Sequence, residues 1–341
     1  MEYKFRLKNL AGTEVFDIPH LNFTLTEALN RGVQGSITCS YQALKDYAEA
    51  LKSTYNGMLK GVYREVEVYR EGTLLHTLVL NRKQNRKSGT VTLYISDYVA
   101  MLDTRITGND GLKYTSEDSA VIAWDEINIS QLKTNGSFGL TLGTQPTTKN
   151  RQRTLRFTSL LDLLVGMSNY KLKDGYDFEI TQNKVLNFYY PTKGQSKPNV
   201  IFTNRNTTDW TVTESMAGNI FNKVAVLGKG SEEDMVTSVR EDTTNQPNWL
   251  LSEATLSEKG VEDTAELADR GDKFLVDHDT PEDTRSVTVT HIDGDPNLTD
   301  YSMGDSVGVR IEEEDIDQAM RVISRTIKSV SSAIQVTIGF E

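Results

Sequence analysis

Four histidines and one cysteine are the usual starting points for nucleophilic or metal chemistry, and here they are isolated. His20, His76, His278 and His291 are scattered singly, so no H-E-x-x-H pair can grip a metal from one helix face. The chain is read as holding no G-x-S-x-G, no phosphate-binding loop and no G-x-G-x-x-G run. Gly228-Lys229-Gly230-Ser231 follows an apolar stretch but lacks the required spacing and reads as a turn. Cys39, in Ser36-Ile37-Thr38-Cys39, has no local nucleophile signature and reads as a small buried or half-buried residue. Asp293-Gly294-Asp295-Pro296-Asn297-Leu298-Thr299 places oxygen side chains at alternate positions, as calcium loops do. An EF-hand would need glycine where Leu298 stands and glutamate where Gly304 stands, so a polar hairpin connection is the expectation. His278, between Asp277 and Asp279, fits a metal ligand or an exposed helix end. With 48 acidic residues, some carboxylate pair is always available, so a glycosidase pair carries no signal. The expectation is a chain with no catalytic, cofactor-binding or metal-binding residue, and no cofactor.

Charge is more informative. The formal net charge is −11 and the isoelectric point is near 5.0. Residues 1–230 carry +6 and residues 231–341 carry −17, which together make the −11. A broad basic surface for nucleic acid is disfavoured. The acidic region is either a solvated surface or a face that repels something acidic or meets a basic partner. Its densest run supplies the candidate site residues Glu312, Glu313, Glu314, Asp315 and Asp317, read as a charged loop. Asn81 to Gly89 reads as a basic hairpin loop; it has no interleaved aromatics, which favours a solvated loop over a phosphate contact. One cysteine excludes a disulfide framework and a cysteine-rich zinc module and fits a reducing compartment. Neither a signal peptide nor an apolar run of spanning length is present, so a soluble chain is expected.

The elements that would hold these residues are mostly strands. Period-two alternation marks Val66/Val68, Val91/Leu93/Ile95, Val287/Val289, Val307/Val309/Ile311 and Ile334/Val336/Ile338/Phe340. Such strands bury one side and wet the other, as in antiparallel sheets and barrels. A glycine turn in Tyr69-Arg70-Glu71-Gly72-Thr73 predicts a hairpin. Helical spacing predicts helices over about 40–55, 159–169 and 261–277. Ser40 and Ser159 are the N-cap candidates of the first two, and Val261, Ala265, Ala268 and Leu275 form the apolar stripe of the third.

The predicted fold class is mainly β with an α+β middle: two β-barrel-like modules flanking a mixed domain. The predicted domains are 1–105, a first barrel with an embedded helix; 106–210, an α+β middle; and 211–341, a second barrel with a helical insertion at about 236–283.

The order of four segments resembles the hub module of phage tail tips and baseplates. Val66 to Gly72 leads to Thr90–Arg105, which holds the pattern Asp97-Tyr98-x-x-x-Leu102. Leu160 to Tyr170 precedes Gly175-Tyr176-Asp177-Phe178-Glu179-Ile180. Ser215 to Gly230 resembles the entry to the second barrel, and Tyr301-x-x-Gly304-Asp305-x-Val307 resembles a strand within it. The resemblance implies a non-enzymatic homotrimer whose paired barrels form a pseudo-six-fold ring. That ring would join a six-fold tail tube and distal tail protein to a three-fold tip. It also implies contact with a tape-measure protein and with a tip fibre or receptor-binding protein, passage of DNA without specific binding, and a place in the virion after assembly in the host cytoplasm. A non-contractile, siphophage-type tail is the preferred setting. In many relatives a C-terminal extension carries a hydrolase or a receptor-binding part; the sequence ends at Glu341, so neither activity is expected of this chain. The alternatives are a receptor-binding or distal tail subunit and, third, a tail-associated cell-wall hydrolase.

Overall fold

A computed structural model gives the fold and describes residues 2–9, 15–50, 54–59, 64–108, 112–213, 220–244, 246–278, 286–292, 296–330 and 333–341. The first stretch holds strands β1 (Tyr3–Asn9), β2 (Val15–Asp17), β3 (Asn22–Ala28) and β4 (Gly32–Ser40). Helices α1 (Tyr41–Ala50) and α2 (Tyr55–Leu59) follow, then β5 (Arg64–Arg70), β6 (Thr73–Lys87), β7 (Thr90–Ser96) and the short helix α3 (Tyr98–Leu102). Alternation does what it predicts: Val66, Val68, Val91, Leu93 and Ile95 are all buried. Glu71-Gly72 and Ser88-Gly89 are two-residue turns with positive φ at both positions, the geometry that matches the twist of a hairpin. The basic stretch expected as a loop differs. Asn81 to Lys87 belongs to β6, and after a bulge between Leu80 and Gln84 the residues Gln84 to Lys87 pair with β7, leaving Ser88-Gly89 as the turn.

The middle of the chain contains β8 (Leu112–Asp118), α4 (Ser119–Gln131), β9 (Thr141–Leu142), β10 (Asn150–Leu155), α5 (Leu160–Gly166), β11 (Asp177–Ile180) and β12 (Val185–Tyr189). Ser159 caps α5 by accepting from the Asp162 N–H at 3.4 Å, as the spacing predicts. Helix α4 has no apolar stripe, because Ala120, Ile122, Ala123, Glu126 and Ile127 are buried around much of its circumference. Leu102, Ile127, Leu164, Tyr176 and Phe188 belong to a separate apolar cluster centred on this region.

The rest comprises β13 (Ser196–Thr203), β14 (Asp209–Thr213), β15 (Lys223–Leu227), β16 (Thr237–Glu241), α6 (Gln246–Trp249), β17 (Glu253–Ser257) and α7 (Thr264–Val276). It ends with β18 (Ser286–Ile292), β19 (Ser306–Ile311), β20 (Ile316–Val330) and β21 (Ala333–Phe340). The segment expected as a helical insertion therefore carries strands too: β15 is flanked by β16 and β17, and α7 packs on this small sheet. The face of α7 also differs from the predicted stripe. Ala265 is exposed, whereas Glu266, Leu267, Arg270, Gly271 and Leu275 are buried. An apolar-stripe rule cannot see a face on which a glutamate and an arginine neutralise each other.

The two ends of the chain are fused. A thirteen-stranded sheet runs in the order β14-β18-β21-β20-β3-β4-β7-β6-β5-β1-β2, with β19 and β13 branching from β20. Among the described residues it does not close into a barrel. β3 and β20 pair antiparallel from Ala28↔Ser324 to Thr24↔Lys328, and one apolar cluster draws Phe5, Leu25 and Leu93 together with Val307, Ile327, Val336 and Phe340.

Val336 is fully buried between its register partners His291 and Ile327. Val336→Asp puts an unpaired charge in that cluster, at a cost of several kcal/mol. The expected outcome is loss of the cooperative melting transition by circular dichroism; an unchanged transition would show that the strand facing is wrong.

Candidate functional site

The acidic run forms the tip of the β19–β20 hairpin. Glu312–Glu314 make one 3-10 turn, and Asp315 closes it in the left-handed region at φ 53°. Ile311 and Ile316 are buried at its base, while Glu312, Glu313, Asp315 and Asp317 are exposed and Glu314 is partly exposed. Asp317 pairs with Arg310 across the hairpin at 2.8 Å, an exposed pair of small energetic weight. Structure thus gathers the five predicted residues on one projecting corner.

Beneath the surface, buried charges clamp the parts of the chain together. The Asp177 carboxylate on β11 accepts from the Asn30 side chain at 2.7 Å, the Asn169 side chain at 3.1 Å and the Lys193 backbone N–H at 2.6 Å. The Arg321 guanidinium on β20 pairs with the same carboxylate and donates to the Lys193 carbonyl at 3.0 Å. Asn30 reciprocates by accepting from the Phe178 N–H at 2.9 Å, and it sits at φ 59°, in the turn between β3 and β4. One carboxylate therefore joins the first stretch, the middle and the last.

Glu27 on β3 forms a second clamp. It meets Arg325 on β20 (2.6 Å) and His76 on β6 (2.9 Å). Burial would push its carboxyl up, but Arg325 and His76 outweigh it and hold it at about 2. Glu65, also buried, accepts from the Tyr98 hydroxyl and pairs with Lys184 of the middle region and with Lys8. Glu266 anchors α7: it is buried between Arg153 on β10 and Arg270, and its carboxyl lies below the ordinary range because these cations overcome its burial. Sequence reasoning passed over Asp177, Glu27 and Glu266 as sites. The signal was a lone acid inside apolar context, as in Tyr176-Asp177-Phe178.

Two of the sequence patterns have structural causes. Asp97 caps α3, accepting from the N–H groups of Val99 (3.0 Å) and Ala100 (3.3 Å), and it ties back to the Val33 N–H at 2.7 Å. Burial pushes its carboxyl up to about 6 despite these bonds. Asp305 accepts from the N–H groups of Ser302 (2.9 Å) and Gln195 (2.8 Å), and Gly304, at φ 92°, lies where a Cβ would stand 2.8 Å from the Lys193 carbonyl. Gly304-Asp305-Ser306-Val307-Gly308 spells G-x-S-x-G, which corrects the reading above that the sequence holds no such motif. Ser306 opens β19 instead of a strand-to-helix turn, so it is not a nucleophile elbow.

A cavity of about 250 Å³ lies at this junction, with Glu27, His76, Asp97, Lys193 and Arg325 in its wall. His76 and Arg325 both bond to Glu27, Lys193 pairs with Glu179, and Asp97 bonds to backbone; the arrangement positions segments rather than a reacting atom. Cys39 is buried, and burial pushes its thiol up to about 12. His278 stacks on Phe274 at 4.4 Å and lies 2.8 Å from its carbonyl. Residues 293–295 of the calcium-like stretch lie outside the described residues. Among the described residues no group of three or more histidine, cysteine or acidic side chains is gathered to hold a metal, and no helix is long and apolar enough to cross a membrane.

No protein-family profile matches the chain, and no curated protein matches it in sequence. Solved structures do match. The 43 kDa tail protein of prophage MuSo2 from Shewanella oneidensis superposes with a TM-score of 0.66 at 12% identity, over 99% of this chain and 97% of that one. A tail protein from Neisseria meningitidis gives 0.65 at 13% identity, over 100% and 96%. Prophage tail protein gp18 from Listeria monocytogenes gives 0.57 at 12% identity, over 98% and 94%. The chain has the fold of these tail proteins. It has that fold from end to end, with both β-rich ends and the mixed middle included.

Two measurements test the clamps. Asp177→Ala removes the buried acceptor shared by Arg321, Asn30 and Asn169, and the expected loss is about 3 kcal/mol in denaturant unfolding; a loss under 1 kcal/mol would remove Asp177 from its central place. The pH dependence tests Asp97. Its folded value of about 6 exceeds its unfolded value of 3.8, so the native state holds the proton more tightly between them. Its contribution is full below about 3.8 and is lost as pH rises through about 6, amounting to about 3 kcal/mol. Glu27 has the opposite sign: its contribution is present above 4.5 and is lost as pH falls towards about 2. Asp97→Asn sacrifices one backbone hydrogen bond and should flatten the stability profile between about pH 4 and 6. A profile parallel to the wild type there would refute the assignment.

Proposed function

We propose that this chain is a structural component of a phage tail, acting as the hub of its tip or baseplate. The observation that carries the reading is the end-to-end match to tail proteins, covering 99% of this chain and 97% of the Shewanella protein. In this reading the chain belongs to the virion, is assembled in the host cytoplasm and is not an enzyme. Stretches 1–105, 106–210 and 211–341 are its building blocks. Three copies form a ring in which the two β-rich ends of each supply six similar positions. That ring joins a six-fold tail tube and distal tail protein to a three-fold tip carrying a fibre or receptor-binding protein, in a siphophage-type tail.

Pairing of β3 with β20 supports this role, because a symmetry adaptor needs its two ends held at a fixed angle. The ring leaves a conduit for DNA and the tape-measure protein. An acidic wall repels phosphates and lets DNA pass without sticking, whereas a basic wall would hold it. Glu312, Glu313, Glu314, Asp315 and Asp317 then face the lumen or a neighbouring subunit.

Immunogold labelling of intact tails with antibody against this chain tests the proposal. Gold is expected at the distal end of the tail, and purified chain should form particles of three 38.2 kDa subunits when mixed with the distal tail protein. Label on the capsid or along the whole shaft would overturn it.

A further inference from the structure

Between the middle region and α7 lies a cleft of about 730 Å³. Arg153, Arg156, Lys171, Lys229, Lys259 and Arg270 line it, against three carboxylates. With the buried Glu266 beneath it counted, six cations face four carboxylates, an excess of two positive charges in a chain of net charge −11. Its floor is built: Arg153 and Arg270 share the buried Glu266, and Arg270 also reaches Glu258 at 3.1 Å and the Gly166 carbonyl at 2.9 Å. At its mouth Arg156, Lys171 and Lys259 are exposed.

The chain itself carries the complementary charge. The β19–β20 tip projects four consecutive acids, Glu312 to Asp315, and among the described residues none of them has a cation within salt-bridge distance. Two acidic tips cannot meet each other, because like charges repel, so an isologous contact through this corner is disfavoured. A tip meeting a cleft is a heterologous contact, the kind that closes rings. We propose that the cleft receives the acidic hairpin tip of a second copy of this chain. This inference builds on the assembly reading above and selects the neighbouring subunit, rather than the lumen, as what the tip faces. Opposed charges steer the encounter and fix the partner, so assembly is faster and tighter at low salt.

Charge reversal provides the test, on the full chain, by sedimentation velocity at low and high salt. One variant carries Glu312→Lys, Glu313→Lys and Glu314→Lys; a second carries Arg156→Glu, Lys171→Glu and Lys259→Glu. The altered positions lie at the surface, and circular dichroism verifies that each variant folds. Each variant alone should self-associate at least roughly tenfold more weakly than the wild type at low salt. Mixing the two variants should restore association, since the basic tip of one then meets the acidic cleft of the other. Self-association indifferent to both reversals, failure of the mixture to recover it, or a wild type that stays monomeric at low salt and high concentration would each overturn the pairing. Wild-type assembly that ignores the reversals, together with gold at the tail tip, sinks this contact and leaves the tail reading standing; the swap working while gold is absent from the tail does the reverse.

Discussion

The buried carboxylate of Asp177 is the constraint on which the architecture depends. An ionised carboxylate away from water is tolerated only when its lone pairs are filled. Asp177 fills them with donors drawn from distant parts of the chain: Asn30, Asn169, the Lys193 backbone and Arg321. None of these groups can drift without leaving a charge stranded. The interaction therefore specifies relative position more strongly than apolar packing does, because packing tolerates small slides and a saturated carboxylate does not.

Around that point the backbone supplies the second restraint. Thr24–Ala28 and Ser324–Lys328 form a ladder between strands about three hundred residues apart, reinforced by the Phe23 N–H donating to the Ser329 hydroxyl and by a Thr26–Thr326 contact at 3.2 Å. Glu27 and Arg325 pair on the same two strands. The result is one continuous sheet that joins the two β-rich ends. Contacts this distant in sequence form late and are reached at high entropic cost, so local hairpins such as β5–β6 are expected to order first.

Charge is arranged on a coarser scale. The clamps consume their own counterions inside the molecule, and they contribute little to its external field. What remains outside is an acidic corner on β19–β20 and a basic mouth beside α7. A chain polarised in this way would approach a partner of complementary charge in a preferred orientation.

Much of the fold could be read from the sequence. Period-two strands such as Val91-Thr92-Leu93-Tyr94-Ile95, the Glu71-Gly72 turn and the Ser159 cap depend on neighbours within a few residues, and each appears as its local pattern dictates. The acidic run was equally legible as composition. Helix α4 was not, because burial around much of its circumference erases periodicity; nor was the buried face of α7, where Glu266 and Arg270 stand at positions a pattern assigns to leucine. The junction was the least visible part. Asp177, Glu27 and Glu65 look like ordinary surface acids until residues far along the chain, or from another region, arrive to neutralise them. Sequence alone determined the strand alternation, the turns and the uneven charge, since these follow from local sterics and from counting. Tertiary structure decided which charges are buried and which strands fuse, because a buried ion's energy is set by partners that only folding brings within reach.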